Sequence, residues 1–134
     1  MDTISGYQQF AEAMLYGRGY DDFVPRYAVA SATLSIEQDA HLKEICEEMI
    51  TAYDRCFKSE RARDIIRRRF GLGVPPQTAK DIGTVYGISR GYTHHIILRF
   101  QLGIRTFRQF RPHLEFLVRI FSDAGVPFGP LVHK

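Results

Sequence analysis

Apolar residues recur at steps of three and four along most of the chain, and the breaks in that rhythm separate six helical segments. Over residues 2–16 the apolar positions are Ile4, Tyr7, Phe10, Ala11, Met14 and Leu15, an amphipathic pattern ended by Gly17 and Gly19. Residues 18–34 carry Pro25 and scattered aromatics without a period, and read as a connector packed on the core. Ser35 and Gln38 have capping-box spacing. They predict a long helix with Leu42, Ile45, Cys46, Met49, Tyr53 and Cys56 in its seam and Glu37, Asp39, Glu44, Glu47 and Glu48 outward. Ser59 starts a helix to residue 70 with Ala62, Ile65, Ile66 and Phe70 inward and its arginines on the rim, stopped by Gly71.

Pro75 and Pro76 forbid helix until Thr78, which begins a short one with Asp81 three residues on and Ile82, Val85 and Tyr86 inward. Gly87 breaks it, Ile88 is expected as a buried turn residue, and Ser89 caps a longer helix to about residue 107. The seam of that helix is Thr93, Ile96 or Ile97, Phe100, Ile104 and Phe107. Pro112 fits the first turn of a last helix with Leu114, Leu117, Ile120 and Phe121 inward, closed by Gly125 and Pro127. No alternating strand interrupts these segments, so the fold class is all-α.

Residues 79–98 meet the physical demands of a helix-turn-helix in order. Gly83 stands where the two helices would cross, and Gly87 supplies the left-handed turn residue. Ile82, Tyr86, Ile88 and Ile96 fill the wedge, with Thr93 less apolar than its place there prefers. Arg90, Gly91, His94, His95, Leu98 and Arg99 are left on the outer face of the second helix.

Charge sharpens this picture. Residues 1–53 hold three basic against nine acidic groups, a balance of −6, whereas residues 54–134 hold fifteen against six, or +9. Five arginines fall between Arg61 and Arg69, and Arg90, Arg99, Arg105, Arg108 and Arg111 follow, which suits a polyphosphate partner. At 134 residues, 45% of them hydrophobic, the chain can bury one core. No apolar run approaches the ~20 residues of a membrane span and the start lacks a secretory pattern, so a cytoplasmic protein without membrane contact is expected. Cys46 and Cys56 are separated by ~15 Å of helix rise, too far for a disulfide, and read as small core residues.

The stretch SERARDIIRRRFGLGVPPQTAKDIGTVYGISRGYTHHIILRF resembles the fourth conserved region of bacterial sigma factors. The matching positions are Arg67, Phe70, Gly71, Leu72, Thr78, Ile82, Gly83, Gly87, Ile88, Ser89 and Arg90. Nothing upstream is similar to the sigma segment that opens a promoter, and residues 1–34 are too short for it, so a complete sigma factor is not expected. The plan is similar to that of phage late-gene regulators of the antiterminator and activator classes. One departure stands out: sigma factors carry an acidic base-contacting residue where this chain has Gly91. The resemblance implies residues 1–34 as N-terminal helix and connector, 35–111 as the sigma region-four-like helix-turn-helix domain, and 112–134 as C-terminal helix and tail of the same unit.

It also implies double-stranded DNA as the partner. Arg90, Tyr92, His94 and His95 would reach base edges, with Ser89 at the helix start and Thr78, Lys80, Arg99 and Arg105 on phosphates. Docking on RNA polymerase or its sigma factor is the alternative, suggested by Gly91 and by the apolar load of Leu98, Phe100, Leu102, Phe107, Phe110, Phe116 and Phe121. That load also suggests a homodimer with its seam on residues 112–123. Adjacent His94 and His95 lie ~100° apart on a helix and cannot share a metal as an i, i+4 pair does. GLGVPP lacks the strand and third glycine of a nucleotide loop, and Cys46 with His41 lacks a third catalytic group, so neither cofactor nor enzyme is expected.

Overall fold

The computed structural model describes residues 6–16 and 32–126, and among these every regular element is helical. In chain order they are α1 (Gly6–Tyr16), α2 (Ile36–Phe57), α3 (Glu60–Phe70), α4 (Ala79–Tyr86), α5 (Arg90–Thr106), a short 3₁₀ turn (Arg108–Phe110) and α6 (Arg111–Asp123). The expected first residues of α1 and most of the connector over 18–34 lie outside the described residues.

Local chemistry accounts for the helix starts. Ser35 Oγ accepts from the Gln38 amide at 3.0 Å while the Ser35 amide donates to Gln38 Oε1 at 2.9 Å, closing the capping box. Ser59, Thr78 and Ser89 cap α3, α4 and α5 in the same sense, accepting from Ala62, Asp81 and Tyr92. The last helix follows Pro112 in its first turn.

Packing departs most from expectation at α1. The apolar stripe predicts one buried side, but the middle of the helix is buried on every side: Phe10, Ala11, Glu12, Ala13 and Met14 have no exposed surface, because α2, α3, α5 and α6 all pack against it. The Phe10 ring stands edge-on to Phe70 at 5.5 Å and lies 6.1 Å from Phe100, joining α3 and α5 through α1.

Several seam residues turn out differently. Cys56 is exposed, since the buried stripe of α2 runs through Ile50 to Tyr53 and its last turn projects beyond the core; Cys56 Sγ accepts from Gln109 Nε2 there. Val85 is 54% exposed because α4 presents Ala79, Ile82 and Gly83 to its neighbours, a stripe that leaves Val85 to one side. Phe107 follows the end of α5 in extended conformation, so its ring rests on Phe57 at the surface rather than continuing the seam. Ile88 is half-buried. Arg69, expected on the rim, is buried. In α6, Leu117, Ile120 and Phe121 are buried by α1 and α2 and Leu114 is half-buried, so the proposed seam is largely consumed within the chain and only Phe116 is substantially bare.

A charged junction ties the first three helices. Arg67 of α3 makes a bidentate pair with Glu47 of α2 at 2.5 and 2.8 Å, and the Tyr7 hydroxyl of α1 donates to the same carboxylate at 2.5 Å. The Arg67 hydrogen bonds hold the Glu47 carboxyl below its usual range, burial pushing the other way. The folded chain therefore binds fewer protons there than the unfolded one; this stabilisation is present above the unfolded pKa and is lost as pH falls through the folded one. Burial, and then the bond to Glu47, pushes Tyr7 from 10.0 up to about 12, so its contribution is complete below pH 10.0 and is lost as pH rises toward about 12. In thermal melts across pH, Glu47→Gln should flatten the acid limb and lower stability near neutrality by about 1 kcal/mol. An acid limb identical to that of the unaltered chain would show that the junction carries no such linkage.

Candidate nucleic-acid interface

The crossing of α4 and α5 is set by a missing side chain. A Cβ on Gly83 would stand 2.6 Å from the Ile88 carbonyl oxygen and 3.1 Å from Thr93 Oγ1, so any larger residue forces the helices apart. Thr93, fully buried, is suited to this place because its hydroxyl donates to the Ser89 carbonyl at 2.9 Å and its size permits the close approach. Gly87 turns the chain with φ 69°, and the Ile88 amide donates back to the Gly83 carbonyl at 2.9 Å.

The helix pair is anchored from behind. The Tyr86 hydroxyl, at the end of α4, donates to Asp64 of α3, which also accepts from Arg68 Nε at 2.8 Å. Burial pushes the Asp64 carboxyl up, but these two bonds and the charges of Arg68 and Arg67 hold it below its usual range. Burial and the bond to Asp64 push Tyr86 up. The loop before α4 folds onto the same helix through the Gln77 amide and the Arg68 carbonyl at 2.8 Å.

On the outer side of α5, Arg90, Gly91, Tyr92, His95, Leu98 and Arg99 are exposed, while His94 is half-buried. Thr78, Lys80 and Ser89 are exposed at the starts of α4 and α5. The capping hydroxyls of Thr78 and Ser89 accept amide bonds, and their protons can still be donated to a phosphate. Tyr92 is held from α3: Arg61 Nη2 donates to its hydroxyl at 3.3 Å and the guanidinium lies 5.6 Å over its ring. Arg61 was not legible as part of this surface, because only the packing of α3 on α5 brings it there. Arg99 stands on the α2 side of α5, where its charge acts on the Tyr53 hydroxyl; burial outweighs it and raises that group.

Arg105, expected on a phosphate, is engaged within the chain. Its guanidinium donates to the Leu15 carbonyl and, at 3.5 Å, to that of Met14, closing the C-terminal end of α1. Among the described residues no three His, Cys, Asp or Glu side chains gather to hold a metal ion. No helix among them is long and apolar enough to cross a membrane.

A tight glycine-mediated crossing, a left-handed glycine in the turn and a capped, basic second helix define a helix-turn-helix module. Residues 59–99 match the family model described as Sigma-70, region 4, so this segment is a sigma region 4-type helix-turn-helix, spanning roughly a third of the chain. No curated protein and no solved structure shows a significant match to the chain.

Substitutions at the two glycines should separate fold from surface. Gly83→Ala should lower stability by about 1–3 kcal/mol in urea unfolding, since its Cβ meets backbone. Gly91→Ala, whose Cβ meets nothing nearer than Ser89 Oγ at 4.0 Å, should leave stability unchanged or raise it by up to ~1 kcal/mol. Equal losses at both would refute the crossing argument. Arg105→Ala should destabilise the chain by about 1–3 kcal/mol while leaving the salt dependence of DNA binding unaltered; a salt slope reduced by about one would return Arg105 to the phosphates.

Proposed function

We propose that the protein is a transcription regulator that reads double-stranded DNA by laying α5 in the major groove, as a phage or mobile-element late-gene activator or antiterminator. The observation that carries this reading is the tight Gly83 crossing that leaves the basic face of α5 exposed; on that face lies Gly91, which suits close approach to DNA or to a protein alike. It sits exposed in the first turn of α5, neither crowded nor in a left-handed conformation, yet glycine there costs about 1 kcal/mol of helix relative to alanine. A bare backbone on the outer face makes sense if that turn must come close to another surface. Around it Arg90, His95 and His94 supply base-edge donors, and Thr78, Lys80, Ser89 and Arg99 flank them for phosphates. Sigma region 4 domains bind DNA, which supports the same assignment for residues 59–99. The phage class rests on the layout of a short helical part before one such unit.

A second reading, docking on RNA polymerase or its sigma factor, is favoured by the exposed apolar side chains Leu98, Leu102, Phe57 and Phe107. Polymerase subunits recovered with the chain after nuclease treatment would support it; their absence would count against it. Two chains per DNA site belong to the proposal because one helix-turn-helix reads only a few base pairs. Light scattering tests this, and one chain per duplex at micromolar concentration would overturn it.

Selection from random duplexes should return an enriched site. Arg90→Ala should relax one position by ~1–3 kcal/mol, whereas Lys80→Ala should weaken all sequences alike and reduce the salt slope by about one. Gly91→Ala should bind the site less tightly despite its sound fold. A library without enrichment would sink direct reading.

A further inference from the structure

We propose that Arg61, Tyr92 and His95 form a stack across the α3–α5 junction that holds His95 ready to read a base, which makes Arg61 a specificity-determining residue outside the α4–α5 pair. This rests on the DNA-reading function proposed above and assigns its readers more narrowly. Tyr92 and His95 are three residues apart on α5 and share a side, with ring centroids 6.2 Å apart and planes inclined by only 20°. Arg61 closes the arrangement from the other helix, with its guanidinium carbon 5.6 Å from the Tyr92 ring centre and Nη2 3.3 Å from the hydroxyl.

Its neighbours on α3 are engaged elsewhere. Arg63 pairs with Asp54 and Glu60, Arg67 with Glu47 and Arg68 with Asp64, while Arg69 is buried. Among the described residues Arg61 meets no carboxylate, so its charge stays at the edge of α5, near that of Arg99 across a hollow lined by Tyr53, Phe57 and Ile96. Exposed side chains on a helix ordinarily sample several rotamers, and each must be ordered when it binds. Stacking orders Tyr92 and His95 beforehand, and the bond from Arg61 fixes the hydroxyl end of Tyr92. His94 has no place in this stack and is half-buried, so the arrangement selects His95 as the reader and makes Tyr92 its support.

Two measurements test the stack. In the free protein, the imidazole proton resonances of His95 should shift on Arg61→Ala and Tyr92→Ala, and by an intermediate amount on Tyr92→Phe, which keeps the ring and loses the bond. In selection from random duplexes, Arg61→Ala and His95→Ala should each lose on the order of tenfold discrimination at the same base position. The double variant should be no worse than His95→Ala alone. Arg61 is exposed, so these changes leave the core in place. His95 resonances that do not move on Arg61→Ala would overturn the stack. So would an Arg61→Ala chain that loses affinity equally for all sequences, with a salt slope lower by about one, since that marks a simple phosphate contact. An unaltered chain that selects no site overturns the reading role along with the DNA function, while the resonance shift decides separately whether the three side chains are coupled.

Discussion

The burial of α1 is the constraint on which the other helices depend. An eleven-residue helix whose residues 10–15 are all buried cannot hold its shape alone, and is stable only where other helices cover it on several sides. Phe10 meets Phe70 from α3 and Phe100 from α5, so the first helix of the matched segment and its outer helix are aligned on one aromatic side chain. Each such ring contributes about 1.5–3 kcal/mol of burial, enough to make this alignment decisive. Polar contacts bind both ends of α1: Tyr7 reaches the Glu47–Arg67 pair near its start, and Arg105 closes its last carbonyls.

This leaves α5 with two tasks. Its inner side, Thr93, Ile97, Phe100 and Ile104, is a wall of the core, and its outer side carries the exposed basic and aromatic groups. Because one rigid helix does both, the outer groups inherit their placement from the core. Gly83 sets how closely α4 lies against it, the Tyr86–Asp64 bond holds α4 to α3, and Arg61 reaches from α3 to Tyr92. The candidate interface is thus presented by α5 and the start of α4 and held in place from α3.

What the chain determines locally was legible without any structure. The four hydroxyl caps at Ser35, Ser59, Thr78 and Ser89 act within three residues, and Gly71 and Gly87 meet a backbone demand at their own positions. Helical periodicity placed Leu42, Ile45, Met49, Ile65, Phe100 and Leu117 inward correctly, because a repeating apolar stripe must be covered by something. Packing alone decided the rest. Periodicity names a side of a helix but not how far its neighbours extend, which is why Cys56, Val85 and Phe107 are exposed and why residues 10–15 of α1 are covered all round. Nor does it choose partners for long side chains. Arg61 and Arg105 look alike as basic residues in sequence, yet one reaches Tyr92 and the other the end of α1. An arginine can extend in many directions at little cost, so its contact is determined by which helix the fold brings within reach.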